Sequence, residues 1–536
     1  MPGLQAAFDR IGDALERCLP LTHAAGVALA VTDVDETLGV VVRGFADAAS
    51  GTPVTPTTRF QIGSISKSFA AAIAVQEAEA GRLDLRASIN ELLPWLDVPE
   101  PLGPITPHHL LTHTSGLIMG TEEAFGALAV AERLRDRAPG FEPGERFWYS
   151  NDGYKLLGLV LERVAGAPVD RLIEERVLRS LGMTHSEAAI TNATRADLAT
   201  GYAPIHDDRP ARLTHPLVPA PWTVSNTADG SIVSDVVDMA AYARAMLNAG
   251  RPLVSSAAFE RLVTPAIADA ELPGFGYGYG WWVGTQDGRR RIRHSGGMIG
   301  YTALLAVDPD DGLGCVMLLN GAGDRDEVVR YALACVRTAV AGDELPDPYV
   351  AASPETIDGA GEYADSYGAL GVTREGDGLA VTLDGVDARL HRTSTRDAFL
   401  VADEGLDRFE LRFHRDRAGG VVAASHGSAW FDRGGCDPLP IEPHPPAWDE
   451  YPGLYRSNDP WVPVIRIALR HGRLVRLATD SWEDPSEAPL VPLDDGTFRL
   501  GEEEWIPERM SFGGAVEGRA IRAMFNGGAW YRSFEE

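Results

Sequence analysis

The alternation of strand and helix patterns along this chain admits few folds. The runs AGVALAVTDV and TLGVVVRGFA are rich in β-branched residues and flank a polar turn, which predicts a hairpin near the start. Strand patterns return between about residues 277 and 320, in YGYGWWVGT, RRRIRHSG, YTALLAVDPD and LGCVMLLNG. The stretch between, from about 106 to 250, is mostly helical pattern broken by Pro and Gly loops. Further helices are predicted at about 4–18, 64–82 and 325–340. Strands at both ends with helices between them predict an α+β domain, one antiparallel sheet carrying an inserted helical region.

Beyond that domain the pattern changes. Two proline-bearing stretches, DELPDPYVAASPE and CDPLPIEPHPPAW, read as linkers, the second stiffened and extended by five prolines in thirteen residues. Each is followed by similar material, EYADSYGALGVTREGDGLAVTLDG and EYPGLYRSNDPWVPVIRIALRHGRLVRLATD. Both open on Glu-Tyr, place a second tyrosine four residues on, and continue as short alternating strands with glycine turns. They predict two small antiparallel β-barrels or sandwiches, candidates for duplicated copies. A length of 536 residues exceeds one ordinary core and agrees with three domains, at 1–342, 343–445 and 446–536.

The net charge of −29 argues against nucleic acid and anionic membranes as partners, because both would be repelled, and leaves small molecules or short peptides. Cys18, Cys315, Cys335 and Cys436 lie far apart without a CxxC pair, so neither a disulfide framework nor a zinc site is signalled. The opening MPGLQAAFDRIGDALERCLPL lacks the basic head and unbroken apolar run of a secretory signal. No stretch approaches the roughly 18 apolar residues of a membrane span. The expectation is a cytoplasmic protein without a cofactor, with a homodimer as a candidate assembly.

Lysine usage singles out one position. Lys67 and Lys155 are the only lysines among 48 Lys and Arg residues, so nearly every position that asks merely for positive charge holds arginine. Lys67 lies three residues after Ser64 at the start of a predicted helix, which puts both side chains on one face. A serine hydroxyl is a poor nucleophile without a base within hydrogen-bond reach. A lysine can become that base by losing its proton, whereas arginine stays protonated. At a helix start, the backbone N–H of Ser64 would also face a developing oxyanion. Lys155, in YKLLG, has no matching serine and is expected on a solvated helix face.

Ser64-Ile65-Ser66-Lys67 is followed by Tyr149-Ser150-Asn151 and then His294-Ser295-Gly296. In that order the three motifs resemble the signatures of penicillin-recognising serine hydrolases. Tyrosine in the second motif and histidine in the third make the chain similar to the class C β-lactamase branch with its D-aminopeptidases, DD-carboxypeptidases and esterases. HLLTHTSGL, FEPGERFWYSNDGYKLLG, LGMT and ADGSIVSDVVDMAAYARAML also resemble that branch, over roughly residues 20 to 340. The resemblance implies a β-lactamase/transpeptidase-like catalytic domain, and the two barrel-like regions after it resemble three-domain D-aminopeptidases.

It also implies an acyl-enzyme mechanism. Ser64 would attack a carbonyl, and Lys67 would either take its proton or lower the pKa of Tyr149 so that the phenol does so. Asn151 would hydrogen-bond Lys67 and the substrate amide. The strand carrying Ser295 and Gly296 would run beside the substrate, and Gly297 would supply an oxyanion N–H together with Ser64. His294 stands where true β-lactamases carry lysine, and an unshifted histidine charges only below about pH 6.5; carboxylate-bearing penicillins would be held less firmly.

Structural readings compete with these roles. Tyr149 could be a core tyrosine, Asn151 a helix N-cap and His294 a satisfied strand histidine. His109 and His113 stand four apart, but no HExxH glutamate or third ligand accompanies them, so no metal is expected. Trp281 and Trp282 read as core or cleft wall. No G-x-S-x-G occurs, which removes the α/β-hydrolase elbow. The functional expectation is a serine hydrolase of amides or esters, with D-amino acid derivatives as candidate substrates. Its alternatives are an esterase, an acyl-transferring thioesterase or cyclase of the same branch, and an inactive scaffold of that fold.

Overall fold

The computed structural model describes residues 2–120, 126–350, 358–365, 368–376, 378–393, 395–477 and 487–534. The chain divides into two compact units, one of residues 1–203 and 217–351, the other of 204–216 and 352–536.

The first unit opens with α1 (Pro2–Cys18), β1 (His23–Thr32), β2 (Thr37–Asp47) and β3 (Thr52–Pro53). Helices α2 (Ser66–Glu79), α3 (Asn151–Ala165) and α4 (Val236–Leu247) follow. Strands β4 (Ile267–Ala268), β5 (Phe275–Tyr277), β6 (Trp282–Gln286), β7 (Arg289–Met298), β8 (Tyr301–Asp308) and β9 (Leu313–Ala322) then lead to α5 (Asp326–Ala341). The nine strands form one sheet in the order β3-β2-β1-β9-β8-β7-β6-β5-β4. Its closure is the antiparallel ladder between β1 and β9, with Leu29 opposite Met317 and Val31 opposite Cys315.

Alternation along β1 and β9 turns Leu29, Val31, Met317 and Leu319 to one face, where Ile11 and Leu15 of α1 and Val329, Leu333 and Val336 of α5 complete a core. Helix α2 is buried from Ser66 to Val75, and its small residues in SKSFAAAIAV allow other elements to close on every side. The stretch between α2 and β4 is less helical than its pattern suggested. Besides α3 and α4 it holds short helices such as Pro107–Leu111 and Ala127–Leu134, and strand pairs such as Phe60–Gln61 with Val233–Ser234. Its prolines and glycines cut the periodic runs into turns too short to continue.

The second unit holds two closed eight-stranded antiparallel barrels, running from Gly361–Ala364 to Ala429–Arg433 and from Gly453–Arg456 to Gly528–Arg532. They share a signature. Tyr363 and Tyr455 sit on the first strands opposite Arg433 and Arg532 of the last. Each guanidinium lies over its tyrosine ring, at 5.9 and 5.0 Å. Each phenol donates to the carbonyl four residues earlier, Gly359 at 2.7 Å and Tyr451 at 2.6 Å. The equivalent positions are therefore Gly-x-Tyr at 361–363 and 453–455, not the two Glu-Tyr pairs, since Glu450 belongs to a 3₁₀ turn before the barrel. Tyr367 lies outside the described residues.

The expected extended linker at 436–448 is folded back. The Glu442 N–H donates to the His471 carbonyl, and Arg473 pairs with the Glu442 carboxylate. The barrels meet where Phe409 packs on Ala468, Val475 and Leu477 and where buried Arg470 donates to the Ser425 hydroxyl and the Glu487 carboxylate.

Residues 204–216, an excursion from the first half of the chain, group with the barrels, which no sequence pattern signals. There the buried Asp407 carboxylate takes Arg209 at 3.3 Å, Arg212 at 3.1 Å and His215 at 3.0 Å. Removing the acid from such a buried group strands its cations, a loss of about 3–5 kcal/mol. Asp407→Ala should lower stability by about that much in chemical denaturation; a loss below about 1 kcal/mol would show that the cluster is solvated.

Candidate active site

Gly63–Ile65 forms a single 3₁₀ turn that runs directly into α2, so Ser64 and Lys67 straddle the junction. Two glycines bring this turn onto β7. A Cβ on Gly63, whose φ is +54°, would lie 2.4 Å from the Gly297 carbonyl oxygen, and one on Gly296 would lie 1.9 Å from that of Ile62. Only glycine permits the approach. The ladder of β7 with β6 ends at Arg293 opposite Trp282, whereas its ladder with β8 runs on to Met298 opposite Tyr301. The edge from His294 to Gly297 thus lies past the end of the β6 ladder, beside Ser64, and the space where a Gly297 Cβ would stand is open.

Lys67 is fully buried. Its Nζ reaches Ser64 Oγ at 3.0 Å, Asn151 Oδ1 at 2.8 Å and the Asp229 carbonyl at 2.8 Å. The amide oxygen and the carbonyl can only accept, so they hold two N–H bonds. The third direction of the nitrogen points at the serine oxygen. A neutral amine in this place aims its lone pair at the Ser64 hydroxyl, and an ammonium donates to it.

Asn151 does not cap α3. The cap is Ser150, whose Oγ accepts from the Gly153 N–H at 2.9 Å and donates to the Ile118 carbonyl at 2.6 Å. That frees the Asn151 amide for Lys67. The Tyr149 ring lies 4.9 Å from Lys67 Nζ. Burial pushes the phenol well above its ordinary range, more than the neighbouring Ser64 hydroxyl lowers it, and Asp229 adds to the rise. Tyr149 therefore rests as a neutral phenol.

His294 stands on β7. It is fully buried, its Nδ1 lies 2.6 Å from the Ser295 carbonyl and its Nε2 2.9 Å from the Tyr277 hydroxyl. The carbonyl fixes the proton on Nδ1, so Nε2 accepts from Tyr277. Burial, with Lys67 nearby, pushes its pKa down to about 3. It is neutral where an unshifted histidine would begin to charge.

Other side chains take structural parts. His109 and His113 do not converge: His109 Nδ1 accepts from the Thr106 N–H and His113 Nδ1 from the Ser150 N–H. Among the described residues one group of three metal-type donors stands together, His185, Asp235 and Asp238. Asp235 caps α4, and Asp238 accepts from the Ser186 hydroxyl and the His185 N–H. Trp281 is core, and Trp282 stacks parallel to Tyr149 at 5.9 Å with its Nε1 donating to Asp269.

Residues 13–337 match the family described as Beta-lactamase. The chain belongs to the Beta-lactamase family. Over 318 residues it is 28% identical to Penicillin-binding protein 4 of Amycolatopsis lactamdurans, covering 56% of this chain and 81% of that one. It is 24% identical over 325 residues to Protein flp of Staphylococcus aureus, covering 58% of this chain and only 63% of flp. The octameric penicillin-binding protein homologue from Pyrococcus abyssi aligns with TM-score 0.59 and 24% identity over 79% of this chain and 99% of that chain. The SurE structure aligns with TM-score 0.51 and 26% identity over 80% of this chain and 100% of that chain. The sheet with its inserted helices is the β-lactamase/transpeptidase-like fold of this family.

In this Beta-lactamase-family chain, sequence reasoning passed over three contributors to the site. Asp229 acts through a carbonyl, which no residue type announces. Lys155 is buried, not solvated, with its Nζ 3.9 Å from Asp229 Oδ2. The scarcity that singled out Lys67 applied equally to it. Tyr277 could be found only once the sheet register placed β5 near His294.

The buried neutral His294 makes stability depend on pH. Its folded pKa lies below the unfolded value, so the unfolded chain binds the proton first, and stability is full above about pH 6.5 and lost as pH falls toward 3. Between pH 7 and 5 this one group should cost about 2 kcal/mol. Denaturant unfolding of parent and His294→Gln at both pH values should show the variant losing about 2 kcal/mol less; equal losses would mean His294 is protonated in the fold.

Proposed function

We propose that the chain is a serine hydrolase that cleaves amide or ester bonds through an acyl-enzyme on Ser64. The observation that carries this reading is the three-acceptor setting of Lys67, in which two partners can only accept and the third is the Ser64 hydroxyl. Ser64 Oγ attacks the substrate carbonyl carbon as its proton passes to the Lys67 lone pair. The oxyanion is held by the N–H groups of Ser64 and Gly297. Collapse breaks the bond to the leaving group, which takes its proton from the neutral Tyr149 phenol, and Lys67 returns a proton to Tyr149. Water repeats the sequence on the acyl group in the second half-reaction.

For the substrate, a neutral His294 supplies no charge to a carboxylate beside the third motif. That favours substrates without a carboxylate at that end over penicillins and peptide C-termini. A molecule of net charge −29 attracts cations, and two closed barrels follow the catalytic unit as in the three-domain D-aminopeptidases the sequence resembles. Amides and short peptides with a free amino-terminal D-residue are therefore the first choice of substrate. Simple esters are the second, favoured by the same uncharged histidine.

The test is intact mass after a fluorophosphonate probe, with turnover of D-alanine p-nitroanilide, p-nitrophenyl butyrate and nitrocefin. The parent should gain one adduct that Ser64→Ala does not, and Lys67→Arg should lose on the order of 10³-fold in kcat. Labelling absent from both parent and Ser64→Ala would support the inactive scaffold instead. Turnover of the ester alone would remove the aminopeptidase reading.

A further inference from the structure

His113 is buried within the first unit and takes no part in the reaction above. Its backbone holds φ at +55°, a left-handed conformation that a side chain with a Cβ seldom adopts. Its ring accepts at Nδ1 from the Ser150 N–H at 3.0 Å, so the proton sits on Nε2. That Nε2 finds no hydrogen-bond partner among the described residues. The imidazole packs among the rings of Phe147, Tyr154 and Tyr277, with centroids at 5.9, 5.0 and 4.8 Å. A buried donor without an acceptor and a left-handed backbone are both unfavourable, and together they require something that only this residue supplies.

What His113 supplies is a three-point grip on the segment before α3. Its carbonyl accepts from the Trp148 N–H at 2.8 Å, and its Nδ1 accepts from the Ser150 N–H. The residue between them, Tyr149, lies with its ring 4.1 Å from the imidazole. The Phe147–Trp148 peptide, the Tyr149–Ser150 peptide and the ring itself are thus held by one residue. Only a flat ring with an acceptor in its plane can do all three. Phenylalanine would keep the ring contact and lose the Ser150 bond, and asparagine would tolerate the left-handed backbone and offer an acceptor but no ring. Asn151, next in the chain, has its own anchor, its N–H bonded to the Met119 carbonyl at 2.9 Å.

We propose that His113 is a positioning residue that acts through Tyr149, fixing the phenol beside Ser64 and Lys67 by clamping residues 148–150 and packing against the ring. The assignment rests on the acyl-enzyme reading of Ser64 and Tyr149. Burial, with Lys67 and His294 close by, keeps the imidazole neutral, so it holds Tyr149 without adding charge.

The experiment is a double-mutant cycle read by the second-order rate of fluorophosphonate labelling at Ser64 and its pH profile. The proteins are the full-length parent, His113→Asn, His113→Phe, Tyr149→Phe and the double variant His113→Phe with Tyr149→Phe. Both single His113 variants should slow labelling, His113→Phe by about a hundredfold, as misplacement of a reacting group by about 1 Å does. In the Tyr149→Phe background the same substitution should add less than about threefold. Should His113→Phe fail to fold, the cycle is run with His113→Asn.

Equal losses in both backgrounds, or labelling at the parent rate in either His113 variant, would overturn the proposal. A merely structural role would lower stability and leave labelling of the folded fraction unchanged, and so would also overturn it. A parent that gains no adduct at Ser64 would remove the hydrolase reading itself, and this assignment with it, an outcome visible before any His113 variant is measured.

Discussion

The enclosure of the Lys67 amine by three oxygen atoms is the constraint around which the first unit is arranged. A fully buried ammonium without partners would cost several kcal/mol, and here each direction of the nitrogen has one. The three partners come from three places in the chain: the turn before α2, the first residue of α3, and a loop carbonyl at Asp229. The site therefore exists only when the inserted helical region is folded against the sheet. A single side chain ties the local Ser64–Lys67 spacing to contacts 84 and 162 residues away.

The second constraint is backbone against backbone. The 3₁₀ turn at Gly63–Ile65 and the edge of β7 touch where Gly63 and Gly296 carry no side chain. This contact places the backbone of the third motif beside Ser64. His294 is then free to be a buried, neutral member of an aromatic group, bonded to Tyr277 and Ser295. The histidine that replaces the lysine of β-lactamases thus changes the electrostatics of the opening by removing a charge.

Much of this was legible in the sequence because it is local. The hairpin, the terminal helices, the strands between 277 and 320 and the barrel strands follow from periodicity, and Ser64 with Lys67 from a three-residue spacing and lysine scarcity. Tyr149, Asn151 and the 294–297 strand came from motif order and resemblance. What stayed hidden depends on register or on groups without a residue signature. The Asp229 carbonyl could be any residue's. The charge of His294 depends on burial that only the sheet creates. The barrel repeat was read four residues out of register because Glu-Tyr occurs twice, whereas the conserved physics is a tyrosine paired with an arginine on the last strand, far along the chain. His113 drew notice only through its four-residue spacing from His109, where no metal was expected, and sequence does not show the direction in which its ring points.

Because the chain has only two lysines, the central claim can be read from two signals. Protein labelled with ¹⁵Nζ-lysine and titrated by NMR, with Lys155→Arg leaving one resonance, reports the Lys67 proton directly. The account predicts that this resonance titrates with the same midpoint as the acid limb of Ser64 labelling, and that the shared midpoint moves when Asn151 is replaced by alanine. A Lys67 resonance that keeps its proton across the whole rising limb of the labelling rate would contradict it.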